Sequence, residues 1–115
     1  MATEFDYGQL DAITGGDMEF EREVLDEYLA SAPKDIEKLR VAIGAGDGNV
    51  TSASAHALKG ASATIGAKGF AVIALELEQA GKKQDLSAAP VTLAHLEAEY
   101  AALVDVIRSR LAKAA

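Results

Sequence analysis

His56, Lys59 and Gly60 carry the chemistry that this sequence can offer. They lie within Ala55-His56-Ala57-Leu58-Lys59-Gly60-Ala61-Ser62-Ala63-Thr64-Ile65-Gly66-Ala67. The apolar rhythm Val50, Ser54, Leu58, Ala61, Ile65 predicts one buried stripe on a helix of 3.6 residues per turn. His56 stands two positions from Leu58, roughly 200° around at about 100° per residue, so its imidazole faces solvent. Lys59, Gly60 and Ala63 share that outer face, and Ser52 and Ala53 lie one turn before it. A glycine inside a helix costs about 1 kcal/mol relative to alanine, so Gly60 is expected where a side chain must be absent. Room beside an exposed imidazole is the simplest such need.

Imidazole is largely neutral near pH 7, and a neutral ring nitrogen can attack electrophilic phosphorus. The phosphoryl group so acquired brings close to two negative charges. Lys59, one turn on, can pair with that charge, although an exposed pair of this kind is worth only about 0–1 kcal/mol. His56 therefore makes the site and Lys59 tunes it. A surface histidine with a lysine one turn away is, taken alone, an ordinary solvated pair. The interior glycine, the small outer face and the helix-ending Gly66-Ala67 set this one apart.

The pattern His-x-Leu-Lys-Gly-x-Ser-x-x-x-Gly-Ala, from His56 to Ala67, resembles the signature of the histidine-containing phosphotransfer domains of bacterial multistep phosphorelays. The order of helices around it extends the resemblance over nearly the whole chain. The resemblance implies that His56 is the phosphoacceptor, taking a phosphoryl group from a receiver-domain aspartate and handing it to another receiver. It implies electrostatic support from Lys59 and clearance at Gly60 for the receiver's active-site loops. Docking would use Ser52, Ala53, Gly60 and Ala63, with the first helix alongside. The partners would be response-regulator receiver domains, including those of hybrid histidine kinases, and the receiver would bring Mg²⁺. The domain would be a carrier without autokinase activity. Some members place a polar side chain from the following helix beside the histidine, and Glu78 and Gln79 are the candidates here. Gln79 suits a neutral hydrogen bond, whereas Glu78 would repel a phosphoryl group and favour a protonated ring.

Other signals point away from further chemistry. His95 lacks all of these neighbours and reads as solvated surface. With no cysteine and no His-Glu-x-x-His spacing, no metal is expected. Gly44-Ala45-Gly46-Asp47-Gly48 follows one helix and leads into another with no Gly-Lys-Ser/Thr end, so it is a turn and not a phosphate loop. Asp47-x-Asn49-x-Thr51 opens like a calcium loop, but Ser52 and Leu58 occupy the positions of its required glycine and glutamate. No cofactor is expected.

The chain has 115 residues, half of them hydrophobic, which suits one domain over residues 1–115 around one core. A formal net charge of −7 argues against nucleic acid and anionic membrane as partners. The absence of cysteine fits a reducing cytoplasm. Met1-Ala2-Thr3-Glu4-Phe5-Asp6 lacks the basic and apolar blocks of a leader, and no run approaches the ~18 apolar residues of a membrane span. The expectation is a soluble cytoplasmic monomer.

The elements that must position His56 are all helices. A short one from about Asp6 to Ile13 ends at Thr14-Gly15-Gly16. Asp17 caps a long one whose inner side is Phe20, Val24, Tyr28, Ala32, Ile36, Leu39 and Ile43, with a kink expected near Ser31 from Pro33. The motif helix spans about Asn49 to Ile65. Ala67 to Ala80 follows, with Phe70, Ile73, Ala74 and Leu77 inward and Gly81 closing it. Ser87 can cap a last helix from near Pro90, striped by Leu93, Leu96, Tyr100, Leu103, Ile107 and Leu111. Together they predict an all-α fold, an antiparallel up-and-down four-helix bundle with a short additional N-terminal helix. Phe20, Tyr28, Phe70 and Tyr100 read as core or core-edge fillers.

Two other functions fit such a bundle. One is a non-catalytic helical interaction module, for which His56→Gln would change nothing. The other is the histidine-bearing domain of a chemotaxis-type kinase, although the chain ends at Lys113-Ala114-Ala115 with no linker or ATP-binding domain.

Overall fold

The computed structural model describes residues 4–114, so the Met1-Ala2-Thr3 start and the Ala115 end of the proposed domain lie outside the described residues. Among the described residues, five helices follow one another: α1 (Tyr7–Thr14), α2 (Met18–Gly44), α3 (Gly48–Ile65), α4 (Lys68–Lys82) and α5 (Ala89–Ala114). Three of them start on an aspartate whose carboxylate accepts a first-turn amide. Asp6 takes Gln9 N, Asp17 takes Glu19 N and Phe20 N, and Asp47 takes Val50 N. Each such cap contributes about 1 kcal/mol. Asp85 accepts both the amide and the hydroxyl of Ser87, so that hydroxyl is held by the turn before α5.

α2 packs on α3, α3 on α4, α4 on α5 and α5 on α2, while the backbones of the diagonal pairs stay apart among the described residues. Short turns between consecutive helices make these neighbours antiparallel, giving an up-and-down bundle about 42 Å long. α1 packs across α2 and α3. Its anchor is Gly66, where Asp6 N donates to the Gly66 carbonyl at 2.7 Å. Gly66 has φ +97°, and a side chain there would lie 2.3 Å from the Asp6 carbonyl oxygen. Glycine is therefore required twice, for the helix end and for the close strap.

The core runs through Leu10, Leu25, Leu39, Leu58, Phe70, Leu77, Leu96, Leu103 and Ile107, all fully or almost fully buried. Removing each of these from water contributes about 1.5–3 kcal/mol. α2 continues without a break through Pro33, which faces solvent.

Several inward assignments differ from the sequence reading. Phe20 is 45% exposed, because the buried position at the start of α2 belongs to its neighbour Glu21. Arg110 clasps that carboxylate with two contacts of 2.8 and 2.9 Å and reaches Asp11 at 3.0 Å, tying α5 to α2 and α1. A buried charge met by a bidentate partner is stable where an unpaired one is not. Val50 is also exposed. The buried side of α3 is Thr51, Ser54, Ala55, Leu58, Ser62 and Ile65, which places Val50 at its edge. Gly81 lies inside α4, which continues to Lys82, and is buried against α3. α5 begins at Ala89, one residue before Pro90.

Candidate functional site

α3 presents His56 outward with 68% of its side chain exposed, half-way along the helix. The rotation of α3 that achieves this is fixed from its inner side. Ser62 Oγ donates to the Leu58 carbonyl at 2.7 Å, leaving an acceptor site to which the buried Tyr28 hydroxyl donates, also at 2.7 Å. The serine of the motif is thus a structural tie between α2 and α3, and Leu58 beside it is fully buried.

α4 supplies what α3 lacks. Glu78 is 2% exposed and aims its carboxylate at the imidazole, with Oε2 3.0 Å from His56 Nδ1. Lys59 Nζ is 2.6 Å from Oε1, and Lys82 Nζ, one turn beyond Glu78, is 3.1 Å from Oε2. Lys59 foremost, then Lys82 and His56, hold the Glu78 carboxyl down to about 2 against the desolvation that would raise it. It is therefore ionised near neutral pH and can only accept. The hydrogen on the facing ring nitrogen is thereby assigned to Nδ1, and in the neutral ring Nε2 keeps its lone pair and points to solvent.

Of the two α4 candidates, then, Glu78 meets His56, and Gln79 is exposed on another face. The repulsion expected between a lone glutamate and a phosphoryl group is offset here. Two ammonium groups surround one carboxylate, and the cluster is net positive when His56 is neutral.

Gly60 is exposed, and a Cβ built there meets nothing within 4 Å, so no packing contact inside the fold calls for a glycine. Ala53 and Ala63 are also exposed, and Ser52 is half-buried. Ser52, Ala53, His56, Glu78 and Lys82 line an open cleft of about 560 Å³ that continues to Asn49 and Gln84 at the end of the bundle. α1 approaches the other end of α3, where Gln9 Nε2 donates to the Thr64 carbonyl. Lys82 was not among the residues singled out from the sequence. Its signal was the four-residue spacing from Glu78 on one helix face. His95 lies on α5 with its ring nitrogen 4.0 Å from Glu99.

The Hpt domain family matches residues 23–106, a span that contains the whole of α3 and α4. The chain belongs to this family. Hpt domains are the histidine phosphotransfer carriers of phosphorelays, and that is the function of this one. No curated protein sequence matches the chain significantly. Solved structures share the fold. Histidine-containing phosphotransfer protein B (HptB) from Pseudomonas aeruginosa PAO1 superposes with a TM-score of 0.91 at 24% identity, covering 98% of each chain. The HPT domain of the Hpt sensor hybrid histidine kinase from Shewanella superposes with a TM-score of 0.78 at 20% identity, covering 98% of this chain and 97% of that one. Among the described residues of this Hpt domain, no helix is long and apolar enough to cross a membrane.

Proposed function

We propose that His56 is the phosphoacceptor of this Hpt domain and that Nε2 is the attacking atom. The observation that carries the reading is the contact of an ionised, buried Glu78 with Nδ1, which assigns the proton to the inner nitrogen and the lone pair to the outer one. A receiver-domain aspartyl phosphate docks over His56, against the cleft lined by Ser52 and Ala53 and over the small residues Gly60 and Ala63. The Nε2 lone pair forms the N–P bond, the P–O bond to the receiver aspartate breaks, and that carboxylate departs with the electron pair. Positive charge develops on the ring as the bond forms, 3.0 Å from a fixed carboxylate that needs no reorganisation to meet it. Lys59 and Lys82 lie beside the incoming phosphoryl group. The receiver contributes its aspartate and Mg²⁺, while this chain, acting as a single cytoplasmic carrier domain, contributes an aimed nucleophile.

The test is transfer from a radiolabelled phosphorylated receiver to the wild-type protein and to His56→Gln. Label on the wild type alone, lost in acid and kept in base, supports His56 as phosphoacceptor. Equal label on the variant removes His56 from the reaction.

A further inference from the structure

α3 and α4 approach closely, backbone to backbone, where two glycines meet. A Cβ on Gly81 would lie 2.5 Å from the Gly48 carbonyl oxygen, 2.6 Å from Ser52 N and 3.0 Å from Ser52 Cα. All three are helix backbone and cannot yield by rotating a side chain. A Cβ on Gly48 would lie 2.9 Å from the Gly81 carbonyl oxygen and would also meet the Gln84 side chain. Gly81 lies in the last turn of α4, one residue before its end at Lys82, and is buried.

The placement of this crossing is what gives it a role. Gly81 is three residues from Glu78 and next to Lys82, and Ser52 is one turn before His56. The turns that touch through bare backbone are therefore those that carry the carboxylate and, one turn on, the imidazole. We propose that Gly81 is a positioning residue for phosphotransfer: its bare-backbone crossing with Gly48 and Ser52 sets the helix separation at which Glu78 reaches His56 Nδ1. This rests on the reading of His56 as phosphoacceptor with Glu78 as its fixed acceptor. A methyl group at Gly81 requires the helices to part by roughly 1 Å to restore ordinary contact. Passed on to Glu78, one turn away, an opening of that size carries the 3.0 Å hydrogen bond with His56 beyond ordinary hydrogen-bond range. Leu58, Ile73 and Leu77 still hold the two helices in the core, so the site opens while the fold persists.

The experiment compares Gly81→Ala, Glu78→Ala and their combination in the full chain, with Gly44→Ala as a control, since a Cβ at Gly44 meets nothing within 4 Å. Two quantities are read. One is the pair of ¹⁵N shifts of the His56 ring, which report its tautomer. The other is the rate of transfer at saturating phosphorylated receiver. Gly81→Ala is expected to move the ring shifts toward those of Glu78→Ala and to slow transfer roughly fivefold, the kinetic counterpart of one lost hydrogen bond. In the Glu78→Ala background it should add little, because the two changes act through one contact. Wild-type ring shifts in Gly81→Ala, or the same slowing with and without Glu78, would overturn the proposal. Should Gly81→Ala not fold, Gly48→Ala provides the same reading with a milder clash, and an unchanged tautomer there counts equally against it. The ring shifts need no phosphoryl transfer, so a failure of His56 as phosphoacceptor shows separately, as label remaining on His56→Gln.

Discussion

Glu78→Gln isolates the charge of the buried carboxylate from its shape. Glutamine is nearly isosteric and can turn its amide oxygen toward His56 Nδ1, so the tautomer is retained. What disappears is the negative charge that faces the ring across 3.0 Å. Adding the size of the ring to that contact puts the developing positive charge on the order of 4–5 Å from the carboxylate. At an effective dielectric of 20–40, a full charge there is stabilised by roughly 2–4 kcal/mol, and a half-developed one by about 1–2. The expected loss in the chemical step is therefore about tenfold. A competing effect has the opposite sign. Without the carboxylate, Lys59 and Lys82 lose their counter-charge, and the more positive face attracts the anionic phosphoryl group more strongly. That attraction acts on encounter and docking, so the rate must be read by rapid quench at saturating phosphorylated receiver, where encounter drops out. Glu78→Ala should be slower still, since it also releases the tautomer. A saturating rate for Glu78→Gln equal to or above the wild type would refute the electrostatic role assigned to Glu78.

Three further outcomes follow from the same geometry. The carboxyl of Glu78 is held near 2 against a usual value of 4.5, so its pairing stabilises the fold above about pH 4.5 and is lost as pH falls from there toward 2; acid unfolding followed by circular dichroism should flatten in that window in Glu78→Gln. Ser62→Ala leaves the buried Tyr28 hydroxyl without its acceptor and should cost about 1–3 kcal/mol in denaturant unfolding, with Tyr28→Phe recovering part of the loss in the double variant. Gly60→Gln should fold normally by thermal melt yet slow transfer from a receiver, because its side chain enters open space beside His56; normal transfer would remove the clearance argument.

The helical order, the glycine stops after α1 and α3 and the outward face of His56 were legible because each depends on local periodicity or on a backbone demand that few residues meet. Asp17 and Gly66 marked their helix ends for that reason. What was not legible depended on pairing between distant segments. Phe20 carries more apolar area than Glu21, and nothing near it in sequence reveals that Arg110, 89 positions away, takes the inward site. Gly81 looked like a stop because glycine commonly follows a helix. Only the approach of α3 shows that its missing side chain serves close packing. The choice between Glu78 and Gln79 was likewise one of rotation, about 100° on a helix, and it was settled by the packing of α4 against α3.

The motif thereby separates into two sets on one helix, and each depends on the other. His56 and Gly60 face outward with the half-buried Lys59 between them and Glu78, while Leu58, Ser62 and Ile65 face the core. A turn of α3 by a single residue, about 100°, would swing His56 off the exposed face and pull the Ser62 hydroxyl away from Tyr28. The buried bond between Tyr28 and Ser62 therefore opposes the rotation that would spoil the aim of the imidazole. α4 then fixes the ring about its own side-chain bonds through Glu78, which the Gly48 and Gly81 crossing brings within reach. A phosphotransfer carrier must offer the same ring nitrogen to a donor and to an acceptor. With His56 as the proposed phosphoacceptor, locking first the helix and then the ring is how this fold would present Nε2 to both.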